Sequence, residues 1–151
     1  MKVIFLDIDG VLNCKETPNP RKFPYVVDKR LLARFRRLIE RTGAKVVLSS
    51  TWRYDPAGVF SAKHWGIPFM DLTPDLPKRP RRDEILAWLK KHPRVTRFVV
   101  IDDAVSPLSL GPYGIRSSRS TKDYLLSPEC ARMKTNELLG EQTHCVSSIR
   151  R

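Results

Sequence analysis

Short apolar runs separated by amphipathic stretches set the pattern of this chain. Val3, Ile4, Phe5, Leu6 and Ile8 make residues 2–8 almost continuously apolar. A run without polar alternation predicts a strand covered on both faces, as in a parallel sheet. Residues 44–49 (AKVVLS) and 95–101 (VTRFVVI) have the same character. Between the first two runs the period changes. Asp28 can cap a helix, Leu31, Leu32, Phe35, Leu38 and Ile39 fall on one helical face, and Gly43 can end it. Arg34, Arg36, Arg37 and Arg41 lie mostly off that face.

A second helix is expected with Asp83 as its cap, Ile85, Leu86, Trp88 and Leu89 as its apolar side and Pro93 closing it. Residues 14–27 hold three prolines and read as a loop. Residues 54–80 read as irregular, except that "IPFMDL" suits an edge strand, where Pro68 is tolerated. Residues 105–123 read as loop with a short strand at 114–116. Ser127-Pro128-Glu129 starts a third helix, reaching about Leu139, and residues 141–151 form a flexible tail. The alternation of strand and helix predicts an α/β fold. It is a three-layer, Rossmann-like domain over residues 1–140, with a mainly parallel sheet and a minimal cap or none.

Composition narrows the class. The 151 residues suit one domain, and 41% are hydrophobic. No run approaches the ~20 apolar residues of a membrane helix. The first apolar run already holds Asp7 and Asp9, unlike a secretory leader. A soluble, cytoplasmic protein is therefore expected. Cys14, Cys130 and Cys145 form no close pair, and His64, His92 and His144 are scattered, so neither a disulfide framework nor a zinc site is expected. The net charge of +12 bears on partners rather than fold. A nucleic acid is one candidate and a solubilising basic surface is the other.

The chemistry lies where the apolar runs end. In "VIFLDIDGVLN" the first run ends in Asp7 and Asp9, the second ends in Ser49 and Ser50, and the run "FVVIDD" ends in Asp102 and Asp103. In parallel strands these ends share one rim, where such sheets bind ligands. Residues i and i+2 of an extended chain point the same way, so Asp7 and Asp9 can both face the rim. Crowded carboxylates repel, and a hard cation such as Mg²⁺ removes the repulsion. Aspartates also end strands simply as turn residues. It is the repetition at each strand end that favours a metal site.

These segments resemble the motifs of the haloacid dehalogenase (HAD) superfamily of phosphohydrolases. "FLDIDGVLN" resembles the first motif, "VVLSSTWR" the second and "FVVIDD" the fourth. The similarity is greatest to cap-poor members, including phosphatase domains of RNA-repair enzymes, and covers roughly residues 2 to 140. The resemblance implies Asp7 as nucleophile and Asp9 as general acid and then base. It implies Mg²⁺ held by the Asp7 carboxylate, the Asp9 backbone carbonyl and Asp102, with Asp103 as a further or alternate ligand. Ser50 or Ser49 would bind the phosphate. The basic residue of the third motif falls within "PKRPRRDEI", with Arg81 favoured over Lys78.

About thirty-five residues separate Asn13 from Ser49, which leaves no room for a large cap and predicts an open site. An open site suits a bulky substrate. Arg36, Arg37, Arg41, Lys78, Arg79, Arg81 and Arg82 can line a polynucleotide path, and Trp52, Tyr54 and Trp65 can stack on bases. The expected function is a Mg²⁺-dependent phosphatase acting on a nucleic acid end or a nucleotide. The alternatives are a small-metabolite phosphomonoesterase and a non-catalytic nucleic-acid-binding module. The sequence leaves the oligomeric state open.

Overall fold

The structure, a computed structural model, describes residues 1–103. The expected strand at 114–116, the third helix and the tail lie outside the described residues. Four strands, β1 (Lys2–Leu6), β2 (Lys45–Leu48), β3 (Phe69–Leu72) and β4 (Arg97–Ile101), form one sheet in the order β3-β2-β1-β4. Every pairing is parallel. The central strands are buried on both faces, as their unbroken apolar runs require. β3 lies at the edge and is only partly buried, so Pro68 before it removes no ladder hydrogen bond from a central strand.

Alternate residues of the strands feed two separate cores. Ile4, Leu6, Val46, Leu48, Val99 and Ile101 pack against Leu31, Leu32 and Phe35 of α1 (Lys29–Thr42). Val3, Phe5, Val47 and Val100 pack on the other face against Ile85 and Trp88 of α3 (Arg81–Lys91). Phe5 meets the Trp88 ring edge-on, with centroids 5.4 Å apart. The domain is therefore a three-layer α/β sandwich of Rossmann-like type. A right-handed crossover puts the helices of oppositely directed crossings on opposite faces. β1-α1-β2 steps one way along the sheet and β3-α3-β4 returns the other way, so α1 and α3 take opposite sides.

Local chemistry sets the helix ends. Asp28 Oδ1 accepts from the Arg30 and Leu31 amides, at 2.7 and 3.4 Å, a cap worth about 1 kcal/mol. Gly43 closes α1 in the left-handed region, at φ 63°. α3 begins at Arg81 rather than after Asp83. Pro80 occupies the N-cap without a side-chain hydrogen bond, and Asp83 and Glu84 lie in the first turn. The stretch 54–80 is more regular than expected. It follows the 3₁₀ turn Thr51–Tyr54, holds α2 (Pro56–His64), and Asp55 caps α2 by accepting from the Ala57 amide at 2.9 Å. Residues 7–28 carry β1 into α1 through turns, with no inserted helix or strand.

Candidate active site

The order of strands reverses between β1 and β4, and each runs into acids at its carboxyl end. The sheet ladder continues one residue past the strands. The Asp7 amide donates to the Ile101 carbonyl at 2.9 Å, Ser49 to Leu6 at 2.9 Å and Thr73 to Leu48 at 3.0 Å. Because Leu6 is level with both Leu48 and Ile101, the next residues, Ser49, Asp7 and Asp102, share one row along the rim. Asp7, Ser49, Thr73 and Asp102 are all buried. They follow the parity of Phe5, Val47 and Val100, so the row belongs to the α3 side of the sheet.

α3 begins on that side. Arg81 Nη1 donates to Asp7 Oδ2 and to Asp102 Oδ2, both at 2.6 Å. Burial alone would lower the Arg81 pKa, but the attraction of Asp7 and Asp102 outweighs it and leaves it above its ordinary value. Asp7 Oδ1 accepts from the Ile8 amide at 2.8 Å. Partial burial, followed by repulsion from Asp7 and Asp102, pushes the Asp103 carboxyl above its ordinary pKa. Asp103 reaches the cluster over Gly10. A Cβ on Gly10 would lie 1.8 Å from Asp103 Oδ2, and φ of 73° there also favours glycine.

One carboxylate oxygen from each of Asp7, Asp102 and Asp103 lies within 4.8 Å of the others. This oxygen-only donor set suits a hard divalent cation, and the Arg81 guanidinium already places positive charge between two of its members. The residues therefore fit Mg²⁺. The Asp9 carboxylate stands apart from the cluster. It is exposed, with Oδ1 accepting from Asn13 Nδ2 at 2.8 Å and Oδ2 from Trp52 Nε1 at 3.0 Å.

The two serines differ. Ser50 Oγ caps the 3₁₀ turn by accepting from the Trp52 amide at 3.4 Å. Ser49 Oγ is buried beside Asp7 and has no hydrogen-bond partner among the described residues. Lys78 is exposed in the turn before α3, at φ 63°, and it is Arg81 that reaches the acids. The expected basic path divides between the two faces: Arg36, Arg37 and Arg41 lie on α1, while Lys78, Arg79, Arg81 and Arg82 lie at the start of α3. Arg36 donates to the Trp65 and Gly66 carbonyls, at 3.0 and 2.9 Å. Trp52, expected to stack on bases, is instead buried, whereas the Tyr54 ring remains half exposed.

Sequence reasoning missed Arg53. All five of its N–H groups are used. Nε donates to Thr73 O at 3.2 Å, Nη1 to Ser49 O and Ser50 O at 2.6 and 2.7 Å, and Nη2 to the Tyr54 hydroxyl at 2.6 Å and to Glu84. Glu84 sits one helical turn beyond Arg81, so Arg53 ties the ends of β2 and β3 to the helix that carries Arg81. The available signal was an arginine at the end of "SSTWR" and a glutamate inside "RRDEI", which become partners only once the fold joins them.

The fold and site thus define a Rossmann-like α/β domain with an acidic cluster at its switch point. The chain belongs to the HAD family: the family model described as "HAD domain in Swiss Army Knife RNA repair proteins" matches residues 3–122. No curated protein matches the chain. No solved structure matches it either. Membership points to a phosphatase-type hydrolase. Among the described residues, no helix is long and apolar enough to cross a membrane.

Proposed function

We propose that this domain is a Mg²⁺-dependent phosphatase that hydrolyses phosphate monoesters on nucleic acid ends or nucleotides through an aspartyl-phosphate. The observation that carries the reading is the convergence of Asp7, Asp102, Asp103 and Arg81 at the switch point of a HAD domain. Asp7, Asp102 and Asp103 would hold Mg²⁺, together with the Asp9 backbone carbonyl that the family resemblance implies. When bound, the ion neutralises charge on the acids and on the phosphoryl oxygens.

The protein's own groups account for the remaining roles. Asp7 attacks phosphorus through a carboxylate oxygen, and the bond from phosphorus to the leaving oxygen breaks. Asp9 gives its proton to that oxygen, which departs as an alcohol. A water then attacks the phosphoryl group on Asp7 and loses its proton to Asp9, releasing phosphate and restoring both residues. Arg81, bonded to Asp7 and Asp102, would offset negative charge developing beside them. The Ser49 hydroxyl, which has no partner among the described residues, rather than Ser50, is the group to donate to a phosphoryl oxygen.

The net charge of +12, the family's association with RNA repair, and Lys78, Arg79, Arg81 and Arg82 gathered at the rim favour a polynucleotide substrate. A nucleic acid substrate suits a cytoplasmic setting. The test is phosphate release from 3′- and 5′-phosphorylated oligonucleotides, with Mg²⁺ and with chelator. Release that requires Mg²⁺ is expected. Turnover of small phosphate esters with none from either oligonucleotide would move the substrate to metabolites. Binding of oligonucleotides without any turnover would leave a binding module.

A further inference from the structure

Asp7 and Asp9 are two residues apart, yet their carboxylates meet different chemistry. Asp7 faces the Arg81 cation, while both oxygens of Asp9 accept from neutral donors, Asn13 Nδ2 and Trp52 Nε1.

Both donors are themselves held in place. Asn13 Oδ1 accepts from the Gly10 amide at 3.0 Å, which turns its NH₂ group toward Asp9 and the Val26 carbonyl, also at 3.0 Å. Trp52 is buried, meets Tyr25 edge-on with ring centroids 4.9 Å apart, and stands in the turn capped by Ser50. Tyr25 is anchored by its hydroxyl on Asp55 and by its carbonyl, which accepts from Trp65 Nε1 at 3.2 Å. An exposed carboxylate on a turn ordinarily samples several rotamers. Here a buried indole and a tethered amide hold it in one.

We infer that Trp52 and Asn13 are positioning residues for proton transfer: they orient the Asp9 carboxyl toward the leaving oxygen of the ester. The inference rests on the proposed role of Asp9 as general acid. It also gives the tryptophan in "SSTWR" a task other than base stacking.

A proton donor matters most when the leaving group is poor. The decisive quantity is therefore the ratio of kcat/KM for an alkyl phosphate, a poor leaving group, to that for 4-nitrophenyl phosphate, a good one. General acid catalysis contributes about 10²–10⁴-fold, so Asp9→Asn should lower this ratio by about that amount. Trp52→Phe keeps an aromatic ring and removes the N–H. It should lower the ratio about tenfold, with Asn13→Ala acting in the same direction. If Trp52→Phe does not fold, Asn13→Ala carries the test alone. Variants that slow both esters equally, or neither, while Asp9→Asn discriminates, would overturn the inference and leave the assignment of Asp9 standing. An Asp9→Asn enzyme with an unchanged ratio would overturn both.

Discussion

Arg53 and Glu84 meet as an ion pair inside the protein, with side chains 2% and 3% exposed. Removing one partner of a buried pair leaves a desolvated charge, which costs about 3–5 kcal/mol. Glu84→Ala should therefore lower unfolding free energy by about that much in a urea titration. Replacing both with apolar residues of similar size, Arg53→Met with Glu84→Met, should recover part of the loss, because no lone charge remains. The carbonyls of Ser49, Ser50 and Thr73 would still lack their donor, so recovery should be incomplete.

Adjacent serines should separate by phenotype. A hydrogen bond to a charged group contributes about 1.5–3 kcal/mol. Ser49→Ala should thus cut kcat/KM by about 10–100-fold with little change in melting temperature. Ser50→Ala removes a cap contact of 3.4 Å and should cost at most about 1 kcal/mol of stability, with a smaller kinetic effect. Steady-state kinetics beside thermal melts of the two variants checks this, and the reverse pattern would assign phosphate to Ser50.

Gly10 is fixed by space as well as by its dihedral angle. A methyl there meets the Asp103 carboxylate head-on. Gly10→Ala should cost about 1–3 kcal/mol of stability from backbone strain alone. It should also weaken Mg²⁺ binding, measured by calorimetry, because Asp103 must move away from Asp7 and Asp102.

The raised pKa of Asp103 gives a pH signature in the metal-free protein. The folded state holds its proton to higher pH than the unfolded state, whose carboxyl titrates near about 3.9. Between those two values the folded state binds more protons, so stability falls as pH rises through that window. Asp103→Asn should remove this fall, and it should stabilise the metal-free protein above the window but not below it. Urea titrations in chelator across pH 3 to 8, wild type against variant, measure the difference.

The layers were legible in the sequence because each side of the sheet needs its own apolar set. The unbroken run Val3–Leu6 required cover on both faces, and the face of Leu31, Leu32 and Phe35 supplied one cover. Gly43 and Asp28 marked the ends of α1 for the same backbone reasons the structure shows. α2 was missed because Gly58 and the flanking prolines obscure a nine-residue helix, although Asp55-Pro56 carries the same cap-and-proline signature as Ser127-Pro128. The start of α3 was displaced by three residues because Asp83 is acidic in the first turn, where the helix dipole favours it, rather than at the cap.

At the site, the acids could be found because each terminates an apolar run. Strand register was needed to separate Ser49 from Ser50, since it sets Ser49 level with Asp7. The Asp9–Trp52 contact and the Arg53–Glu84 pair join segments tens of residues apart, and no local pattern announces such pairs.

The most direct measurement is a rapid acid quench of the enzyme turning over a phosphorylated oligonucleotide with Mg²⁺, followed by mass spectrometry of the peptide containing Asp7. The expected result is phosphoryl group on Asp7, absent in Asp7→Asn and absent with chelator. Turnover at the same rate in Asp7→Asn, or rapid turnover with no phosphoryl group ever found on that peptide, would contradict a covalent role for Asp7.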